Sequence, residues 1–275
     1  MTAGKTAAFF DLDRTLMAGS SGFHWARAAY RAGLITRKRL AGDAWENVKF
    51  RLRGSTDEAT DAVRERVATM IAGQRVRDLG RLSPQVLAGV LPRLYPQMLR
   101  LAYDHQDAGR PVYICTAASQ EMADLMAHVL QFDGALGSRS EIVDGHYTGR
   151  PGGPFAYREG KATLMRELAE REGIDLAASY AYSDSITDAP MLEIVGHPVA
   201  VNPDRELARL ARQREWEVRE FDQPVRLRRR APAPAPTAAV GGVVAAVGLG
   251  VAGYRWAQQR RKPVPLLGVA FGHRG

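Results

Sequence analysis

Lys5–Leu16, KTAAFFDLDRTL, joins an apolar run to two carboxylates one residue apart, Asp11 and Asp13, with Thr15 two residues further on. The apolar run reads as a buried strand, and the acids stand at its carboxyl end. In open α/β sheets that end is where ligands bind. Residues i and i+2 of an extended chain share a face, so both carboxylates are expected to point at one place. Two acids held that close repel each other unless a cation or a shared proton offsets the charge. Oxygen-rich sites of this type suit magnesium, which takes one or two carboxylates together with phosphate oxygens of a substrate. Taken alone, the stretch also reads as a strand followed by an acidic turn, so later segments must decide.

Three of them bear on the question. In RPVYICTAAS, Val112–Cys115 reads as a second buried strand with Thr116 at its end and a helix over 117–130. A hydroxyl there can bond a phosphate oxygen, as can free N–H groups at the start of the following helix. In GKATLMRELAEREG, Lys161 falls in the first turn of a helix that Gly173 ends. A cation at that place opposes the helix macrodipole, a local violation that points to a site. In YAYSDSITDAPML, a short apolar strand ends in Asp184, with Asp188 four residues later. Further on, His197–Asn202 reads as a strand, 203–214 as a helix and Trp216–Phe221 as a last strand. Strands alternating with helices predict a parallel sheet with helices on both faces, a Rossmann-like α/β architecture.

Between the first and second strands the pattern is helical. Apolar residues recur at three and four (Phe23, Ala26, Tyr30; Trp45, Val48, Leu52), and Ser55 with Glu58 resembles a capping box opening a helix over 56–72. Four or five helices and no strand are expected there. EIVDGHYTG, 141–149, predicts a hairpin turning at Asp144-Gly145.

In this order and at these distances, Asp11/Asp13/Thr15, Thr116, Lys161 and Asp184/Asp188 resemble the four motifs of the haloacid dehalogenase superfamily. The all-helical insert and the DSxxD form of the last motif resemble its phosphoserine-phosphatase-like subgroup, subfamily IB. The resemblance covers about residues 5–222. It implies a catalytic core of 1–17 and 108–222 with an all-helical cap, 18–107, inserted after the first strand. It also implies a magnesium-dependent phosphomonoester hydrolase. Asp11 would be the nucleophile, forming an aspartyl-phosphate, and Asp13 the general acid and base. Thr116 and Lys161 would bind the phosphoryl group. The metal would be held by Asp11, the main-chain carbonyl of Asp13 and Asp184, with Asp188 supporting. Arg14 and Thr15 are expected to shape the loop. Phosphoserine phosphatases carry a cap glutamate nine residues after the nucleophile; here that place is Ser20, which argues for another small phosphomonoester, such as histidinol phosphate or a phosphorylated lipid. Phosphoryl transfer to an alcohol acceptor, and a membrane-tethered regulatory protein that keeps the fold, are the alternatives.

The 275 residues carry a formal charge of +8, with much of the arginine excess late in the chain. No RNA- or DNA-binding motif accompanies it, so nucleic acid is not expected as a partner and an anionic membrane surface is. The single cysteine, Cys115, excludes an internal disulfide. The six histidines show no zinc-ligand spacing. With no signal-peptide pattern, the catalytic part is expected in the cytoplasm. After Asp222 the composition shifts. A basic, proline-rich linker (223–237) leads to an uncharged stretch, Ala238–Tyr254, within 238–257, and then a basic tail, 258–275. Seventeen helical residues reach about 25 Å, slightly short of a hydrocarbon core of about 30 Å. This segment is expected to span or associate with the cell membrane, with a flexible soluble tail as the alternative. Gly242, Ala246 and Gly250 form a small-residue face that suits pairing of two copies.

Overall fold

The computed structural model describes residues 4–34, 65 and 68–221. The linker, the 238–257 segment with Gly242, Ala246 and Gly250, and the basic tail lie outside the described residues, as does most of the helix expected over 56–72. Among the described residues no helix is long and apolar enough to cross a membrane.

Strand β1 is Ala8–Phe10, every residue buried. Helix α1 (Ser21–Arg31) follows, then α2 (Val76–Gly80), α3 (Ser83–Val90) and α4 (Pro96–Asp107). Strand β2 (Val112–Ser119), helix α5 (Gln120–Leu130) and strand β3 (Gly134–Ser138) precede a hairpin of β4 (Ser140–Val143) and β5 (His146–Pro151). Helix α6 (Glu159–Glu172), β6 (Tyr180–Ser183), α7 (Ala189–Glu193), β7 (His197–Val201), α8 (Arg205–Arg214) and β8 (Glu217–Arg219) complete the order. Six of the strands form one sheet, β3-β2-β1-β6-β7-β8, parallel throughout. The chain leaves β1 toward β2 and β3 on one side and returns to β6, β7 and β8 on the other. The crevice at the carboxyl end of β1 is therefore the topological switch point.

Side chains of β1 alternate between two cores. Phe10 stacks on Tyr182, ring centroids 4.3 Å apart, among Met98 and Ala102 of α4 and Met122, Met126 and Leu130 of α5. Phe9 stacks on Tyr113 at 5.6 Å, among Leu164, Met165 and Leu168 of α6 and Leu207 and Ala211 of α8. Helix α4 lies inside the stretch expected as cap, yet its buried residues share the core of the sheet.

Two sequence-level expectations change here. Strand β2 does not stop at Cys115 but runs to Ser119, because β3, unrecognised in the residue pattern, pairs alongside it up to Ser119↔Ser138 after a register shift. GALGS lacks the bulky and branched residues that usually mark a strand. Helix α5 consequently begins at Gln120, with the Ser119 hydroxyl accepting the Met122 N–H at 3.3 Å. Thr116 thus sits within a strand, and no helix-start N–H groups follow it directly.

At the opposite ends of the strands from the switch point, His105 of α4 is 3 % exposed. Arg110 Nε donates to His105 Nδ1 at 2.7 Å, which leaves the proton on Nε2, 2.7 Å from the Tyr182 hydroxyl. Burial, then the charges of Arg110 and Arg219, push this imidazole down from 6.5 to about 4. Its neutral form favours folding above pH 6.5, and that contribution is lost as pH falls through about 4. Denaturant unfolding of the wild type against His105→Gln from pH 7 to pH 4 tests this. The wild-type advantage is expected to shrink on acidification; an advantage constant with pH would contradict it.

The cap joins the core by two chain segments lying side by side. Ala18 N–H donates to Arg93 O at 2.8 Å and Tyr95 N–H to Leu16 O at 2.9 Å. Helices α1 and α3 pack closely, and a Cβ at Gly89 would lie 2.2 Å from His24 Nδ1. The β4–β5 hairpin turns where expected, with positive φ at Asp144 (48°) and Gly145 (74°), as a type I′ turn requires. Its second strand also bonds the cap: Gly73 N–H donates to Tyr147 O at 2.7 Å and Tyr147 N–H to Gln74 O at 3.0 Å.

Candidate active site

Asp11 follows β1 directly, its N–H still in the ladder to Tyr182 O at 3.0 Å. The chain then leaves the extended form. The N–H groups of Leu16 and Met17 both donate to Leu12 O, at 3.1 and 3.0 Å, and Arg14 takes φ 66°. Strand alternation therefore does not carry from Asp11 to Asp13, because the strand ends at Phe10 and a turn intervenes. Each carboxylate has its own partners.

Those of Asp11 come from the third residue of α6. Lys161 is 2 % exposed, and its Nζ donates to Asp11 Oδ1 at 2.6 Å and Asp188 Oδ2 at 2.7 Å. A tight turn delivers it: a Cβ on Gly160 would fall 1.7 Å from Phe155 O, so only glycine lets α6 begin there. Asp188 also accepts the Ser183 hydroxyl at 2.6 Å.

Asp184, one residue beyond β6, is 4 % exposed. Arg14 Nε reaches its Oδ2 at 2.9 Å and the Thr15 hydroxyl its Oδ1 at 3.5 Å. Its main-chain oxygen accepts the Asp204 N–H at 2.8 Å, while Asp204 Oδ2 accepts the Ile186 N–H at 3.0 Å. Asp13 is held from the cap, its Oδ2 accepting the Ser20 hydroxyl at 3.1 Å and its Oδ1 the Ser21 N–H at 2.8 Å. Thr116 is 2 % exposed on β2, and its Oγ1 accepts the Ala118 N–H at 3.2 Å.

Sequence reasoning passed over Ser183, Asp204, Ser21 and Gly160. It used Ser20 only as a missing glutamate. Ser183 carried a usable signal, because alternation along YAYS sets it against Tyr182 and on the face of Ala181. Asp204 carried none, since only folding brings its loop beside Asp184.

Electrostatics separate the groups. Burial first, with Asp188 and Asp13 adding to it and Lys161 opposing, pushes Asp11 up from 3.8 to about 7. Burial and the charge of Asp11, against the pull of Arg14, push Asp184 up to about 8. Burial works against the charge on Lys161, but Asp11 and Asp188 more than offset it and hold the ammonium above its ordinary range. Burial drives the Cys115 thiol up to about 12, so it stays protonated and inert.

Three buried carboxylates (Asp11, Asp184, Asp188) thus face one buried ammonium and one half-exposed guanidinium. The donors are all hard oxygens, and the surplus is negative. This set fits Mg²⁺, whose usual ligands are one or two carboxylates and phosphate oxygens. Among the described residues no three His, Cys, Asp or Glu side chains converge as a metal-holding cluster. A third protein ligand would therefore be a main-chain oxygen, as the sequence reading had it for Asp13.

The model of the haloacid dehalogenase-like hydrolases matches residues 8–193. The chain is similar to the phosphoserine phosphatase SerB1 of Mycobacterium tuberculosis, 38 % identical over 248 residues that span 88 % of this chain and 79 % of the relative. It is similar to a histidinol-phosphatase of Neisseria meningitidis, 28 % identical over 222 residues, 79 % of this chain and 99 % of the relative. The crystal structure of a protein of unknown function from Bordetella pertussis Tohama I superposes with a TM-score of 0.69 at 28 % identity, covering 78 % of this chain and 98 % of that one. The sheet order, the buried acid–lysine cluster and these likenesses agree: the chain belongs to the haloacid dehalogenase-like hydrolases, on their phosphoserine-phosphatase-like branch, and it is a phosphatase.

Proposed function

We propose that the protein hydrolyses a small phosphomonoester with Mg²⁺, by way of an aspartyl-phosphate on Asp11. The observation that carries this reading is Lys161 Nζ bridging Asp11 and Asp188 at 2.6 and 2.7 Å in a buried crevice at the switch point. An Asp11 oxygen attacks phosphorus as the bond from phosphorus to the leaving alcohol oxygen breaks. Asp13 gives that oxygen a proton, then takes one from the water that releases phosphate and restores Asp11. Lys161 and Thr116 bind the phosphoryl oxygens, and Asp188, fixed by Ser183, aims Lys161. Asp11 is pushed up to about 7, so the ionised nucleophile needs more positive charge than Lys161 supplies. Bound Mg²⁺, held by Asp11, Asp184 and the Asp13 main-chain oxygen, would supply it and stabilise charge on the transferring group.

The substrate reading follows the cap. The relatives carry the names of two amine-bearing substrates, phosphoserine and histidinol phosphate. Ser20 holds the place where phosphoserine phosphatases carry a cap glutamate, and its hydroxyl is turned to Asp13. That supports a small phosphomonoester other than phosphoserine.

Purified full-length protein assayed on O-phosphoserine, histidinol phosphate, p-nitrophenyl phosphate and non-amine metabolite phosphates tests both points. Phosphate release that needs Mg²⁺ and stops with a chelator is expected, fastest on an ester other than O-phosphoserine. Turnover undiminished by chelation, or release from none of the esters, would sink the reading.

A further inference from the structure

Ser20 stands immediately before α1 in extended backbone, φ −129° and ψ 127°. A serine there ordinarily turns its oxygen onto an N–H two or three residues ahead. Here it makes no such bond. Its hydroxyl donates instead to Asp13 Oδ2 at 3.1 Å, while the N–H of Ser21, the first residue of α1, donates to Asp13 Oδ1 at 2.8 Å. Each oxygen of one carboxylate is thus gripped by the cap, one through a side chain and one through backbone. No acid of α1 competes, since its first turn holds none. A carboxylate has about four lone-pair sites, so two donors fix it while leaving others free to pass a proton.

We propose that Ser20 is a positioning residue for the acid–base carboxylate of Asp13, so that seating of the cap sets where the proton is delivered. The proposal rests on the assignment of Asp13 as general acid and base. It gives Ser20 a role of its own at the position where the resembling phosphatases carry a glutamate. The hydroxyl is committed to a protein group, Asp13 Oδ2. Proton delivery matters in proportion to the basicity of the leaving oxygen, and general acids supply about 10²–10⁴-fold. A misaimed acid keeps part of that, so losing Ser20 costs much less than losing Asp13.

The test compares kcat/KM, which reads the first transfer alone, for two phosphate esters of nearly the same shape. p-Nitrophenyl phosphate has a good leaving group that needs little protonation; phenyl phosphate has a more basic one. Ser20→Ala is expected to lower kcat/KM about tenfold on phenyl phosphate and at most about threefold on p-nitrophenyl phosphate. Ser20→Thr, which keeps the hydroxyl, is expected to restore most of the loss. Added to Asp13→Asn, Ser20→Ala is expected to cost nothing further, because the two act as a unit. Equal losses on both esters, no loss on either, or full additivity with Asp13→Asn would overturn the role of Ser20. If Asp13→Asn itself shows no preference between the esters, the acid–base assignment falls with it. If Asp11→Asn stays active, the failure lies in the nucleophile and not in Ser20.

Discussion

Asp11→Asn is expected to lower turnover of p-nitrophenyl phosphate by about four orders of magnitude or more while the protein stays folded, the scale on which loss of a nucleophile acts. The amide has the shape of the carboxylate but cannot attack phosphorus. Among the described residues no other carboxylate accepts the Lys161 Nζ from the end of β1. The fold should tolerate the change for an electrostatic reason. Wild-type Asp11 is pushed above its ordinary 3.8 to about 7, chiefly by burial. Its protonation on folding stabilises the metal-free protein fully below pH 3.8, and that contribution is lost as pH rises through about 7. The asparagine variant has no such group to ionise. In chelator, its thermal midpoint should therefore fall less than the wild type's between pH 5 and pH 8. Phosphate release and thermal scans read the two effects. Activity within tenfold of wild type would remove Asp11 as nucleophile, whatever the midpoints show.

Lys161→Met carries the second large effect, on activity and stability together. The ammonium is 2 % exposed and sits between two carboxylates. Methionine fills a similar length but leaves Asp11 and Asp188 buried without their cation. Breaking a buried pair in this way costs about 3–5 kcal/mol. Asp188 keeps the Ser183 hydroxyl at 2.6 Å, which places the expected loss toward the lower bound, about 3 kcal/mol at pH 8. The loss depends on pH. Without the lysine Asp11, already pushed up by burial, is protonated more readily still in the folded state. The missing stability then returns as pH falls through the raised folded value of Asp11, and the gap between variant and wild type should narrow by pH 5. Turnover should drop about 10³-fold, since one charged donor to the phosphoryl oxygens is gone. Urea unfolding at pH 8 and pH 5 measures the first part. A gap under about 1 kcal/mol, or one equal at both pH values, would show that Lys161 is not the cation holding these acids.

Much of the fold was legible because its signals are local. The apolar run before Asp11, the helical period after Lys161 and the Asp144-Gly145 turn each depend on a few neighbouring residues. Strand β3 was not, because Gly134–Ser138 is extended by pairing with β2 and not by its own residues. The end of β2 at Ser119 shifted for the same reason. For Asp11 and Asp13 the reading erred in mechanism. Their proximity comes from a turn that begins at Leu12, and the Ser20 and Ser21 donors on Asp13 arise where the cap returns to that turn.

The order and spacing of Asp11, Asp13, Thr116, Lys161, Asp184 and Asp188 were settled by the chain itself, since motif spacing is one-dimensional information. So was the parallel α/β architecture, since burial on both faces of a strand is written in its composition. Which groups share a hydrogen bond was decided only by the tertiary structure. The ion pair of Lys161 with Asp11 spans 150 residues, and that of Arg14 with Asp184 joins a turn after β1 to the end of β6. The raised acids follow from those meetings, because a carboxyl group's ionisation depends on the water it has lost and the charges it faces, and both are fixed only when distant segments close around it.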